Sequence, residues 1–299
     1  MANIVTLIFN GVSEGAYIFL MASSLSIILG LLGVVNFAHG ALFVWGAYVF
    51  RSVYIATDNF IFALFAATLA GFILGFIFEK VFISRVYGNV GGQIMITLGL
   101  QIVFTELIRL QIAITDNIIL GWGPSILMVS RPEFLAGVSN FNGIIISHYR
   151  LFLIIVGVVI AIVGHLVLTR TRIGMTIRAG TQNSEMVGAL GINIKRYFTL
   201  VFAAGGALAG LGGALFAPLN LMLVPEMGNA TQMLAFIVVI VGGMGSFLGS
   251  ALGSLFIAVM VSVIGFTIPD LSFVAPVSLM AIVLMFKSEG LFRMVVKKK

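Results

Sequence analysis

Cysteine is absent from this chain, which excludes disulfides and thiolate metal sites. Charge is nearly as scarce: Asp, Glu, Lys and Arg make up 9% of the 299 residues, against roughly 25% in an ordinary soluble domain. A water-soluble fold needs more polar side chains than that to cover its surface, so a soluble globular protein is excluded. Proline is rare, at 6, while glycine is plentiful, at 35. That mix suits close-packed membrane helices, because small residues let backbones approach where lipid supplies no hydrophobic drive between them.

What is present is apolar. Hydrophobic residues account for 61% of the chain, and the mean hydropathy is +1.20. At roughly 20 apolar residues per spanning helix, there is room for about eight or nine spans and little else. Hydrophobic runs lie near 4–29, 33–50, 60–78, 92–113, 149–169, 197–217, 230–248, 251–268 and 271–287. The predicted class is an all-α polytopic protein embedded in a lipid bilayer. Eight spans result if 4–50 contains a broken or re-entrant helix around Gly30–Gly40, nine if it does not. Neither a repeat of 20–50 residues nor a low-complexity linker divides the sequence, which reads as one domain over 1–299.

The net charge of +6 could point to nucleic acid, but its placement points elsewhere. No Lys or Arg precedes Arg51, so the N-terminus lacks the basic leader of a signal peptide. Basic residues gather at Glu79-Lys80 to Arg85, between Arg170 and Arg196 (with Arg172, Arg178 and Lys195), and from Lys287 to Lys297-Lys298-Lys299. Short loops rich in Lys and Arg stay in the cytoplasm. Counting spans between these loops places the N-terminus outside and the C-terminus in the cytoplasm. The charge reports topology, and no nucleic-acid partner is expected.

Two longer polar stretches interrupt the runs. Residues 114–148 contain Gly121-Trp122-Gly123-Pro124, Arg131-Pro132 and Asn140-Phe141-Asn142-Gly143, which is the chemistry of turns and short strands. Trp122 and Tyr149 suit the membrane interface. The other stretch, 170–196, lies on the basic side. Within it, residues 181–193 read as a short helix ended by Gly191, either a docking surface or a plain connection.

Few polar groups lie inside the runs. Asn36 and His39, three residues apart between Gly33 and Gly40, share a face if the segment is helical. They either line a solute path at a helix break or bond neighbouring helices. Glu14 falls mid-run with no local partner, and an uncompensated charge there costs roughly 2.5–3.5 kcal/mol. It wants a partner from another span. Glu106 and Arg109 form a structural pair at i and i+3. Gly206 and Gly210, and Gly245, Gly249 and Gly253 at intervals of four, read as helix-packing positions. No Gly-Lys-Ser/Thr follows the glycines, so this chain has no phosphate-binding loop. Neither a metal nor a cofactor is expected.

Leu31-Leu32-Gly33-Val34-Val35-Asn36-Phe37-Ala38-His39-Gly40-Ala41-Leu42-Phe43 resembles the N-terminal signature of branched-chain amino acid permeases of ABC importers, the LivH type. Ile173-Gly174-Met175-Thr176-Ile177-Arg178-Ala179 with Glu185 to Asn193 resembles that family's cytoplasmic loop. Val239-Ile240-Val241-Gly242-Gly243-Met244-Gly245-Ser246 with Gly249 resembles a third block. The resemblance covers nearly the whole chain in order. It implies an inner-membrane permease subunit in a bacterial cell, paired with a second, related permease. It further implies two cytoplasmic ATPase subunits and an extracytoplasmic substrate-binding protein. Glu185, Gly188, Gly191 and Asn193 then belong to the segment that couples to an ATPase. Where such permeases often carry Glu-Ala-Ala before a glycine, this chain departs with Glu185-Met186-Val187. Asn36, His39 and Glu14 become candidates for the substrate path. The family also includes permeases for urea, short amides and other amino acids.

Two other functional classes would each need intramembrane or clustered ionisable groups. A self-contained secondary transporter needs intramembrane carboxylates for ion coupling, and only Glu14 is well placed. A membrane enzyme needs His, Asp or Glu clustered at one membrane face, and none is visible.

Overall fold

Hydrocarbon offers no water to satisfy backbone N–H and C=O groups, so apolar runs close their own hydrogen bonds as helices. The computed structural model describes residues 2–110, 122, 126–141, 144–287 and 290–292. Its helices are α1 (Ala2–Leu32), α2 (His39–Thr57), α3 (Phe60–Ile77), α4 (Val90–Arg109), α5 (His148–Arg170), α6 (Arg172–Gln182), α7 (Ser184–Ala189), α8 (Ile194–Asn220), α9 (Met227–Gly242), α10 (Phe247–Thr267) and α11 (Ala275–Phe286). α3 continues through a π turn at Phe78–Phe82 and a 3-10 turn at Ile83–Arg85. Among the described residues, α1, α2, α3 with its extension, α4, α5, α8 and α10 are long and apolar enough to cross a membrane. The runs read at 230–248 and 271–287 are shorter: α9 has 16 residues and α11 has 12, about 24 and 18 Å of helix.

The polar stretch at 114–148 holds little regular structure among its described residues. β1 (Leu127–Met128) pairs antiparallel with β4 (Met222–Leu223), and β2 (Val138–Phe141) with β3 (Ile144–Ser147). Gly121, Gly123, Pro124, Asn142 and Gly143 lie outside the described residues, as do Lys297, Lys298 and Lys299.

α1, α2 and α8 are the inner helices and α5 the most peripheral. α8 packs on α1, α2 and α3. Glycine makes this approach possible, since a Cβ at Gly206 would collide with the Gly71 carbonyl and one at Gly210 with that of Ala67. At Gly249 and Gly253 a Cβ would meet the backbone of Gly242. Gly245 differs from the sequence reading. It lies in the turn between α9 and α10 rather than on a helix face, with φ +79° and its Cα against Gly30. Ser246, which accepts from the Gly249 N–H at 2.9 Å, starts α10 one residue later. Outward faces carry Phe65 and Ile73 on α3, Met95 and Ile102 on α4, and Ile155 and Ile162 on α5, all exposed. Such surface calls for lipid or another apolar chain.

The connections gather at two ends. At one, Trp122 bonds Ser52, Arg51 bonds the Met128 carbonyl, Arg131 bonds the Pro218 carbonyl, and Arg150 reaches Asn10. At the other, the Tyr87 ring lies tilted against that of Phe198, Gly30 meets Gly245, and the Leu291 N–H bonds the Val241 carbonyl. Described residues near the two chain ends therefore fall on opposite sides of the bundle.

Candidate functional site

A helix N-terminus leaves its first N–H groups without intrahelical partners. α2 begins in a fully buried place, and its N-cap, Ala38, has no side chain that can accept. Other helices supply the acceptors. The Gly40 N–H donates to Gln232 Oε1 of α9 at 2.6 Å, and the Ala41 N–H to Gln101 Oε1 of α4 at 2.6 Å. Gln101 Nε2 donates onward to Asn229 Oδ1 at 2.7 Å. Just before the helix, the Val35 N–H donates to Gln93 Oε1 at 3.3 Å, and Asn36 Oδ1 accepts from the Ala38 N–H at 3.0 Å.

The chain between Leu32 and His39 is therefore a true break, opened by Gly33 at φ +63°. Asn36 and His39 do not share a helix face: Asn36 sits in the break and His39 is the first residue of α2. They are nonetheless close to one structure, since Gln232 Nε2 reaches the Asn36 carbonyl at 3.5 Å. His39 Nε2 lies 2.6 Å from Ser24 Oγ of α1. Both residues are fully buried, and Asn36 Nδ2 and His39 Nδ1 have no hydrogen-bond partner. An unmet buried polar atom costs about 1–3 kcal/mol. Two of them in one break make it a place where a polar solute or water gains hydrogen bonds that the protein does not make for itself.

Glu14 is not part of this cluster. On α1 it stands ten residues from Ser24 (24 − 14), about 15 Å along the helix. Its Oε1 meets Arg150 Nη1 of α5 at 3.4 Å, and the same nitrogen donates to Ser13 Oγ at 2.8 Å. The partner from another span is thus Arg150. Arg109 pairs with Glu106 at 2.7 Å and also with Glu226, ahead of α9.

On the basic side, the helix read over 181–193 is divided at Asn183, which caps α7 by accepting from the Met186 N–H at 2.9 Å. Gly188 is exposed within α7, and Gly191 ends the turn at φ +80°. Asn193 caps α8 through the Arg196 N–H at 3.4 Å. The backbone of Glu185 belongs to α7, while its side chain lies outside the described residues.

Sequence reasoning missed the residues that organise the break: Ser24, Gln93, Thr97, Gln101 and Gln232. A signal for several of them existed. Gln93, Thr97, Gln101 and Thr105 recur every four residues on α4, and all four are buried. A polar stripe of that period in an apolar span faces protein. Among the described residues no group of three or more His, Asp or Glu is placed to hold a metal.

The model of a family described as "Branched-chain amino acid transport system / permease component" matches residues 7–286. The permease protein BraD of Pseudomonas aeruginosa, from a high-affinity branched-chain amino acid transport system, is 27% identical over 94% of this chain and 93% of its own. LivH of Salmonella typhimurium, from the same kind of system, is 28% identical over 84% of this chain and 82% of its own. The fructose import permease protein FruF of Bifidobacterium longum is 32% identical over 58% of this chain and 50% of its own. No solved structure matches significantly.

Proposed function

This chain belongs to the family of branched-chain amino acid transport-system permease components, and we infer from that premise that it carries an aliphatic amino acid across the bacterial inner membrane. It is a multi-pass transport permease and not an enzyme. Like other permeases of ABC importers, it works with ATPase and substrate-binding partners. We propose that it pairs with one related permease and takes its drive from two ATPase subunits.

The observation that carries the site is the buried break between α1 and α2. Its polar groups are neutral apart from a titratable imidazole, and Asn36 and His39 hold atoms that the fold leaves without partners. A zwitterionic solute with an apolar side chain needs a few hydrogen bonds and little else. Both residues are buried here, so access requires a change of conformation, and a ligand shifts such an equilibrium only by its differential affinity for the two states. ATP binding supplies that bias through α7 and its flanks, residues 184–193. The end that holds Lys80, Arg85, Arg170, Arg172, Arg178, Lys195, Arg196 and Lys287 faces the cytoplasm by the positive-inside rule.

The test is uptake by the chain reconstituted with its partner permease, ATPases and binding protein. Leucine uptake is expected to require ATP hydrolysis. Uptake by the purified chain alone, driven by an ion gradient, would overturn the reading. The likeness to a fructose permease makes sugar the second solute to try, and competition between leucine and fructose decides between them. His39→Leu is expected to lower transport at least about tenfold while leaving assembly intact. Loss of the assembled complex instead would assign His39 to the framework.

A further inference from the structure

We propose that the basic end of the molecule holds a second binding site, for a free aliphatic α-amino acid, in the cleft between the tail of α3 and the first turns of α8. The cleft has a volume of about 580 Å³ and shares no residue with the break at 33–41.

Its centre is Glu79. The π turn at Phe78–Phe82 adds a residue to the helical repeat, and such turns recur at functional sites. Glu79 is 2% exposed, a burial that a carboxylate rarely tolerates without partners. One oxygen is met: Tyr87 Oη donates to Glu79 Oε1 at 3.1 Å. Burial first, and then the Glu79 charge, push the Tyr87 hydroxyl well above its ordinary value, so it remains a donor. The other oxygen, Oε2, is buried with no partner. It waits for a donor from outside the chain.

The facing wall supplies opposite charge. Lys195 and Arg196 stand in the first turn of α8, and no described acidic side chain pairs with either. Lys80 also lines the cleft, beside Glu79, with its Nζ 5.7 Å from the centre of the Phe76 ring. Ile194 and Phe198 add apolar surface to the same wall. A simple cation would satisfy Glu79 and be repelled by Lys195 and Arg196. A simple anion would meet the reverse. A zwitterion places its ammonium on Glu79 Oε2 and its carboxylate on the two basic side chains, with its branched side chain on Ile194 and Phe198. The ligand class matches the solute proposed for transport, but the site is separate and its occupancy needs no transport.

The chain has no cysteine, so a single introduced thiol reports without background. Thr199 lines the cleft, and the Thr199→Cys protein is labelled with a soluble maleimide in detergent. L-Leucine at ten times its dissociation constant is expected to slow labelling about tenfold. Isopentylamine and 4-methylpentanoate, which each lack one charge, are expected to protect far less. Adding Glu79→Gln, or Lys195→Gln with Arg196→Gln at exposed positions where misfolding is not a concern, is expected to abolish protection. A thiol at the opposite end, Met128→Cys, is expected to label at the same rate with or without leucine. Unchanged labelling of Thr199→Cys in leucine overturns the proposal. Protection that persists in both charge variants does so too, as does equal protection of Met128→Cys. No ATPase or gradient takes part, so failure of the importer reading and failure of this site are told apart.

Discussion

Gly206 and Gly99 are both helical glycines, and the structure assigns them opposite sensitivities. A Cβ at Gly206 would strike the Gly71 carbonyl, whereas one at Gly99 meets nothing within 4 Å. Gly206→Ala is expected to destabilise by about 1–3 kcal/mol, because neighbouring backbone must move. Gly99→Ala is expected to be neutral or to stabilise by up to about 1 kcal/mol, through lower chain entropy in the unfolded state. Thermal unfolding of the two purified variants in one detergent checks the pair. The glutamines give a second contrast. Gln101→Leu leaves the buried Ala41 N–H without its acceptor and strands Asn229, for an expected cost of about 1–3 kcal/mol. Asn229→Ala removes only the outer link and is expected to cost less. Equal losses would mean that Gln101 acts through packing alone.

At the scale of elements, the break before α2 depends on backbone conformation as well as on side chains. Gly33 has φ +63° and open space where a Cβ would sit, so Gly33→Ala meets no clash and suffers only the left-handed penalty of about 1–2 kcal/mol. Asparagine tolerates that region better and is expected to recover part of the loss, which the same unfolding measurement reads. The apolar runs were legible in the sequence because span length and hydropathy are local properties. α1 and α2 are separate helices, each long enough to cross, rather than one re-entrant span, and this division between the runs at 4–29 and 33–50 was legible too. The exchange of partners across the break was not, since Gly40 and Gln232 are 192 positions apart and nothing local links them. The α4 stripe could have been read, because Gln and Thr at intervals of four are as periodic as any apolar face. Gly245 was misread because an interval of four is equally the spacing of a turn that leads into a capped helix.

For the whole molecule, the two ends carry the topology. Single cysteines at Ser84 and Asn193, which share one end with the Tyr87–Phe198 contact, are expected to label only from the cytoplasmic side. Cysteines at Asp58 and Met128 are expected to label from outside the cell. Labelling of Asn193→Cys from outside would remove the surface on which an ATPase could act. Glu14, too, finds its partner only in the whole molecule. Its counter-charge, Arg150, lies 136 positions later at the start of α5, and only the folded bundle brings them together.

The crossing of partners at α2 also bears on how the chain is made. Synthesis delivers α2 to the membrane before α4, and α4 long before α9. Until Gln101 and then Gln232 arrive, the first turn of α2 keeps N–H groups that only water or the insertion machinery can satisfy. A nascent chain halted ahead of Met227 would have Gln101 on the Ala41 N–H but no acceptor for the Gly40 N–H, so this break is among the last parts of the protein to dry.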